Sequence, residues 1–258
     1  LVIFVFPFIL GSLTIFGFSP YNFSLINFFT FSSLLFLISI IKKKTDSKFR
    51  KKKSKRYFFY LGCTFGFGFF LFGNYWISIS LTHDDTFTAL IPLAITLIPL
   101  FLSLFFGIAI SIVGPFCEKK IFFILFFSLT ISIFEFLRGN ILTGFPWNLI
   151  GYTWSWSIET IQILSLIGTY SLSLISITLF CLPFIFINNN KFTKKNIIIS
   201  FVCLILFFSN YLFGSYKINS DKYKYDNNII IKIVSPNFSL QDYHEKGEVF
   251  KLERLIKI

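Results

Sequence analysis

The sequence predicts an all-α polytopic membrane bundle of about seven transmembrane helices, followed by the beginning of an α/β domain. Of its 258 residues, 55% are hydrophobic and 40 are Phe, with a mean hydropathy of +0.74, which is high for a soluble domain. Apolar runs of about 20 residues, long enough to cross the hydrocarbon core of a bilayer, recur along the chain. From Ser215 onward the sequence becomes polar.

Apolar spans alternate with short polar segments over most of the chain. The seven spans cover residues 1–17, 21–41, 57–81, 88–113, 121–137, 161–187 and 196–214. The first two are joined by a very short turn around Gly17–Pro20, which predicts a helical hairpin. The first span could instead be a signal peptide, but it lacks a basic amino-terminal region and a small-residue cleavage site.

The loops between these spans differ strongly in positive charge. Ten, two and three Lys or Arg residues lie in loops 42–56, 114–120 and 188–195. A single one, Arg138, lies in the other three loops, 18–20, 82–87 and 138–160. If the spans alternate in direction, the positive-inside rule predicts that the Lys-rich loops are cytoplasmic. A lipid- or nucleic-acid-binding role for 42–56 is less favoured than a topology determinant beside anionic lipid.

The carboxy-terminal segment is predicted to lie on the side opposite the basic loops. Residues 227–239, NNIIIKIVSPNFS, are rich in β-branched residues and end in a Pro-Asn turn signal, which is typical of a buried strand that leads into a loop. Apolar residues then recur at helical spacing in 247–258. We therefore divide the chain into a transmembrane domain, 1–214, and the start of a soluble α/β domain, 215–258.

The chain is expected to be a fragment or a shortened gene product. It contains no Met, and it stops inside a predicted helix. The predicted strand, loop and helix in 227–258, about thirty residues, are too few to bury a core of their own.

Side chains suited to metal or nucleophilic chemistry are few. The cysteines show neither CxxC nor zinc-site spacing and are expected to pack as small apolar residues: Cys63, Cys117, Cys181 and Cys203. His83 precedes Asp84 and Asp85, but adjacent positions in a short loop rarely converge on one ion, so a solvated turn is favoured. We expect no metal and no cofactor. Despite a net charge of +12, we expect no nucleic acid, because the charges bracket apolar spans.

Two ionisable residues stand at the outer end of the fifth span. Glu135 and Arg138 are three residues apart, so both can lie on one helix face. Charges at this depth are costly unless they pair, reach the interface or line a polar cavity. They can form an interfacial ion pair. Alternatively, Arg138 contacts an anionic lipid head group and Glu135 orients it.

The segment 138–156, RGNILTGFPWNLIGYTWSW, holds three of the four tryptophans. Trp and Tyr side chains gather at membrane interfaces, which accounts for residues such as Trp147 and Tyr152. It does not account for Pro146 and the three glycines, which indicate a fixed, non-helical path. Such a path at membrane depth is tolerated only against protein or a wet cavity. A structured floor beneath an active site satisfies both observations.

The string EFLRGNILTGFPWNLIGYTWS resembles the signature of the apolipoprotein N-acyltransferase family, in which TGFPW is followed by a GY pair. Three other stretches are similar to the family's first periplasmic turn, the end of its third span and the first strand of its nitrilase-like domain. These are FGFSPYNF at 16–23, GNYWISISL at 73–81 and IKIVSPNFSLQ at 231–241. The last departs from the common V-Q-x-N form, with Ser235, Pro236 and Asn237 here.

The resemblance implies an acyltransferase of the bacterial inner membrane whose carboxy-terminal tail, 215–258, begins a periplasmic nitrilase-like domain. The acyl donor would be a membrane phospholipid, and the acceptor would be the lipid-modified N-terminal cysteine of a lipoprotein. The lipid- or substrate-facing loop would comprise six residues of the segment above. They are Glu135, Arg138, Phe145, Pro146, Trp147 and Tyr152.

The catalytic Glu, Lys and Cys of the family belong to later parts of the nitrilase-like domain, the Glu in a W-P-E motif that this sequence lacks. We therefore assign no catalytic residue and expect the chain to be inactive alone. One alternative is a transporter or channel with an outer domain, which is disfavoured because buried charge is scarce and no span is clearly interrupted at mid-membrane. Another is a non-catalytic membrane scaffold.

Overall fold

A computed structural model of the chain describes residues 2–45, 51–83, 85–142, 144–187, 193–220, 250 and 252–253. Across these ranges the regular structure is helical, without a strand. The α-helices are α1 (Val5–Thr14), α2 (Ile26–Thr45), α3 (Lys51–Gly73), α4 (Ile91–Val113), α5 (Lys120–Asn140), α6 (Ile158–Ile161), α7 (Leu164–Ile167), α8 (Thr169–Phe180) and α9 (Lys194–Ser220). Short 3-10 segments are Ile15–Gly17, Tyr75–His83, Asp85–Leu90, Gly114–Phe116, Ile150–Trp154 and Leu182–Ile185.

Within the part of the chain that the structure describes, four stretches are long and apolar enough to cross a membrane: Ile26–Thr45, Thr86–Phe116, Lys120–Asn140 and Lys194–Ser220. Three other apolar stretches are shorter: Val5–Gly17, Ile158–Ile167 and Thr169–Ile185. The prediction of a polytopic helical membrane bundle is thus confirmed in its class, whereas the count of seven spans stays a prediction.

Two predicted spans are broken where the backbone leaves the helix. Span 161–187 divides at Gly168, whose φ of 74° separates α7 from α8. Span 57–81 changes to a 3-10 helix at Tyr75. The seventh predicted span ends at 214, but α9 continues to Ser220. The predicted strand at 227–239 lies outside the described residues.

Close contacts through glycine bring α3 against both α1 and α4. A Cβ atom on Gly62 of α3 would lie 2.5 Å from the carbonyl oxygen of Phe106 in α4. A Cβ on Gly68 would meet the carbonyl oxygen of Phe8 in α1. Small residues at such positions let two helix backbones approach closely, which is how helices commonly associate in membranes.

The core is centred on Phe31 of α2, which is fully buried. Its ring lies 6.0 Å from that of Phe65, 6.4 Å from that of Phe127 and 5.9 Å from that of Phe180. One aromatic ring therefore joins α2 to α3, α5 and α8.

Apart from Lys217 near the end of α9, the lysines of the described helices lie at one end of the bundle, away from the segment 138–156. They end α2 and begin α3 and α5. The Nζ atom of Lys120 donates hydrogen bonds to the carbonyl oxygens of Ile185 and Ile187, which brings the start of α5 to the end of the segment that follows α8. The described parts of the basic loops therefore lie at one end of the helices.

Candidate functional site

The loop that follows α5 turns back over the end of its own helix. Leu142 and Gly144 have φ angles of 59° and 74°, which reverse the chain direction. The amide of Phe145 then donates to the carbonyl oxygen of Arg138 at 2.9 Å. A Cβ on Gly144 would lie 2.5 Å from the carbonyl oxygen of Gly139, so this turn needs glycine for space as well as for conformation.

The buried side chain of Arg138 fixes the backbone of this loop. Its Nη1 atom donates to the carbonyl oxygens of Phe145 at 3.0 Å and Trp147 at 2.7 Å. The guanidinium group lies 5.0 Å from the centre of the Phe70 ring, close enough for a cation–π interaction. Arg138 is only 3% exposed. Its charge is therefore used to fix the backbone of the loop.

Glu135, about one helical turn before Arg138 in α5, bonds to a later part of the loop. Its Oε1 atom accepts a hydrogen bond from the amide of Ile150 at 3.0 Å, and the residue is 3% exposed. Its Oε2 atom accepts no hydrogen bond from Arg138, although the two opposite charges attract each other. Both side chains thus bond to backbone atoms of the loop, an arrangement that differs from a hydrogen-bonded ion pair at the surface.

Three further hydrogen bonds tie the loop to neighbouring helices. Asn148, with a φ of 53°, donates from Nδ2 to Oδ1 of Asn74 at 2.9 Å, beyond the end of α3. The amide of Gly151 donates to Oγ of Ser173 at 2.9 Å. Nε1 of Trp154 donates to Oγ of Ser176 at 3.0 Å. The segment is fixed by α3, α5 and α8 together.

The turn between α1 and α2 joins the same cluster. Ser24 donates from Oγ to the carbonyl oxygen of Thr153 at 2.6 Å and accepts from Nε1 of Trp156 at 2.9 Å. Ser24, directly after the stretch 16–23 that resembles a family signature, is therefore bonded to the segment 138–156 at the end of the bundle that lacks the basic loops.

The six loop residues proposed from the sequence occupy two layers. Glu135 and Arg138 form the buried layer. Above them, Phe145 is half-buried and Pro146 is exposed. Trp147 and Tyr152 are 50% and 39% exposed. The structure therefore brings all six together, with the charges beneath and the aromatic groups at the surface. Thr143 lies outside the described residues.

Two adjacent cavities open beside the exposed layer. The larger, about 860 Å³, extends along α1 and past Gly73 and Trp76 to Trp147 and Asn148. The smaller, about 450 Å³, is lined by Phe18, Ser19, Pro146, Trp147, Asn148, Tyr152 and Ser155. The indole rings of Trp76 and Trp147, which both line the larger cavity, lie 5.2 Å apart between centroids.

Sequence reasoning missed several residues that position this site. Asn74 stands in a stretch that resembled a family signature, but its contact with Asn148 joins positions 74 residues apart. Ser24, Ser173 and Ser176 carried no local signal, because a single Ser in an apolar helix has many possible neighbours. None of the four cysteines, all of which lie within the described residues, forms a disulfide bond. Within the described ranges, no group of three or more His, Cys, Asp or Glu side chains could hold a metal ion.

A family model described as the apolipoprotein N-acyltransferase N-terminal domain matches residues 10–182. The match runs from α1 to the end of α8 and includes the whole loop to which Glu135 and Arg138 bond. The chain belongs to the apolipoprotein N-acyltransferase family. The resemblance seen in TGFPW and its flanking residues is thus confirmed.

Curated relatives of the apolipoprotein N-acyltransferase family agree with this assignment. One from Rhodopseudomonas palustris is 28% identical over 245 residues, which cover 93% of this chain and 45% of the relative. One from Rickettsia typhi is 33% identical over 231 residues, covering 89% and 43%. One from Rickettsia bellii is 38% identical over 146 residues, covering 56% and 28%. The chain spans less than half the length of these relatives.

Proposed function

We propose that this chain forms the membrane portion of an enzyme that transfers an acyl chain from a membrane phospholipid to the lipidated N-terminal cysteine of a lipoprotein. The family assignment and the relatives' shared name, apolipoprotein N-acyltransferase, support this activity. The observation that carries the role of this portion is the clamp of Glu135 and Arg138 on the loop backbone.

In this proposal the loop is a rigid platform that meets lipid. Pro146, Trp147 and Tyr152 provide the lipid- or substrate-facing surface, and half-buried Phe145 supports it. Arg138 and Glu135 are positioning residues, because their polar atoms contact the loop backbone from the buried side. This refines the sequence interpretation, in which Arg138 would itself meet a lipid head group. No described residue receives a catalytic role.

The proposed topology is that of a seven-span protein of the bacterial inner membrane. The lysines at one end of the helices support a cytoplasmic position for that end. The clamped loop and the segment after α9 then lie on the periplasmic side, with 215–258 leading into a nitrilase-like domain. The platform would lie beneath that domain, where an acyl chain passes from the bilayer to the reacting groups.

A chimera tests this assignment. Residues 1–214 replace the matching region of the Rickettsia typhi relative in cells depleted of their own N-acyltransferase, and mass spectrometry measures N-acylation of a reporter lipoprotein. We expect the chimera to acylate the reporter. Trp147→Ala should lower acylation by about tenfold or more, because misplaced substrate costs much of the rate. The isolated chain, given a fluorescent phospholipid, should form no labelled thioester.

The matched control is Trp156→Ala. Trp156 is as exposed as Trp147, at 56% against 50%, but it lines neither cavity. We expect this variant to retain most of the activity. Equal activity of the Trp147→Ala chimera and the unmodified chimera, at equal protein levels, would exclude the platform role.

A further inference from the structure

The connection between α3 and α4 contains a long stretch of 3-10 helix. Tyr75–His83 covers nine residues and Asp85–Leu90 covers six, although 3-10 runs longer than about three or four residues are uncommon. No residue of 75–82 is buried, and Ile79 is 52% exposed. Packing into the core therefore does not account for this conformation.

The sequence of this stretch has a period of two rather than three. Apolar and hydroxyl side chains alternate in the order Ile77, Ser78, Ile79, Ser80, Leu81 and Thr82. In a strand, this order places the apolar side chains on one face and the hydroxyls on the other. In a 3-10 helix, residues three apart lie above each other, so Ile77 aligns with Ser80 and each face is mixed. The pattern and its β-branched residues therefore favour a strand.

Local hydrogen bonds account for the 3-10 conformation. The hydroxyls of Ser78, Ser80 and Thr82 each donate to the carbonyl oxygen three residues earlier, at 2.6, 2.6 and 2.7 Å. The stretch stands at the end of the predicted span 57–81, where a lone strand would present a row of amide and carbonyl groups to a medium poor in hydrogen-bond partners. A helix bonds these groups within itself. A second strand alongside would bond them as well and would also suit the side-chain pattern.

The stretch adjoins the loop that Glu135 and Arg138 fix. The indole rings of Trp76 and Trp147 are in contact, and the amide of Asn148 donates to Asn74, directly before the stretch begins. A chain paired with 77–82 would therefore lie next to the surface proposed above as the platform.

We propose that residues 77–82 form a docking edge for an extended peptide, which adds to them as a β-strand. The peptide is the amino-terminal segment of the acceptor lipoprotein, and this choice, like the outer position of the stretch, rests on the proposed function. The lipidated cysteine is anchored in the bilayer, so the residues that follow it must leave the membrane at the outer ends of the helices. Strand addition uses main-chain hydrogen bonds, so acceptors of different sequence can bind to the same edge.

N-methylated peptides test main-chain pairing on the unaltered chain. The probe is a short synthetic peptide that begins with S-diacylglyceryl cysteine, and its binding to the purified chain in lipid nanodiscs is measured against empty nanodiscs. One peptide is N-methylated at even positions and another at odd positions. Alternate amides of a strand face its partner, so one peptide should lose about tenfold or more in affinity and the other should bind like the unmethylated peptide. Equal affinities of the two, whether high or low, would overturn the proposal.

Spin-label distances test the change from helix to strand. The labels are attached to Tyr75→Cys and Thr82→Cys in a chain whose four native cysteines are replaced by Ala, and the distance is measured by electron paramagnetic resonance. On addition of the peptide it should rise from about 14 Å, the length of a 3-10 helix, to about 23 Å, the length of a strand. The control pair, Leu93→Cys and Leu100→Cys, has the same separation in sequence on exposed positions of α4 and should stay at about 10 Å. An unchanged distance between 75 and 82 with the peptide bound would exclude strand addition.

Neither measurement needs acyl transfer, so the two proposals fail separately. Alternating peptide affinities together with an inactive chimera would count against the proposed function alone. Equal affinities of the two methylated peptides together with an active chimera would count against this inference alone.

Discussion

The loop between α5 and α6 and the helix α9 are attached to the bundle in opposite ways. The loop is irregular, yet its backbone is bonded to Glu135, Arg138 and Ser173. Helix α9 is regular and strongly apolar, yet only 11% of its most apolar window is buried. The side-chain hydrogen bonds that join it to the bundle come from its carboxy-terminal half, where Asn210 donates to the carbonyl oxygen of Thr160 at 3.0 Å.

The difference teaches that hydropathy and attachment are separate properties in a membrane protein. Lipid is as apolar as Leu, so an apolar helix gains little by leaving lipid for protein. Exposed residues such as Ile198 and Phe201 in the amino-terminal half of α9 are consistent with a surface that lipid covers. A segment is fixed by hydrogen bonds and close backbone contacts rather than by its hydropathy, and the loop has both.

The largest expected effect comes from removing the clamp. Arg138→Met leaves the carbonyl oxygens of Phe145 and Trp147 without their donor and leaves Glu135 buried without an opposite charge. We expect the free energy of unfolding to fall by about 3–5 kcal/mol, measured by denaturant titration in detergent micelles. Limited proteolysis should show faster cleavage within 142–157.

The control for this change is Lys217→Met in α9. Lys217 donates to Oγ of Ser165 at 2.6 Å on the exposed side of the bundle. Its loss should cost less than about 1 kcal/mol and leave loop proteolysis unchanged. If the two variants lose equal stability, the contrast between the two regions is wrong.

A smaller effect is expected from glycine substitution in the loop. Gly144→Ala and Gly168→Ala both place a side chain on a backbone with a φ of 74°, which costs about 1–3 kcal/mol. Only Gly144 adds a steric contact, 2.5 Å from the carbonyl oxygen of Gly139, because nothing lies within 4 Å of the Gly168 position.

Thermal denaturation of the two glycine variants isolates that contact. Gly144→Ala should unfold at a lower temperature than Gly168→Ala, although both change the same φ. Equal unfolding temperatures would mean that the loop can move away from α5, contrary to a fixed path.

The smallest effect is expected in α9. Phe207 packs on Trp154 with 4.5 Å between ring centroids, whereas the adjacent Phe208 is 61% exposed. Phe207→Ala should cost about 0.5–1.5 kcal/mol and shift the emission of Trp154, and Phe208→Ala should do neither. A shift from Phe208→Ala alone would place the opposite face of α9 against the bundle.

Much of the fold class and the site's location follows from the sequence. Long apolar runs predicted membrane helices because the bilayer requires them, and glycines with Pro146 predicted a fixed loop because they disfavour a straight helix. The direction of Arg138 could not be predicted, since i, i+3 spacing places two residues on a face without saying what that face meets. The break at Gly168 was missed because apolar residues continue through it. Contacts such as Ser24 with Thr153 depend on how distant helices pack.

The clamp acts on main-chain atoms. Arg138 bonds to two carbonyl oxygens and Glu135 to one amide, and every residue except Pro offers both groups. The path of the loop is therefore largely independent of which side chains stand at 145, 147 and 150. In the proposed role, the exposed position 147 can be substituted to suit a different lipid while the loop keeps its shape, so ligand preference and architecture can evolve separately.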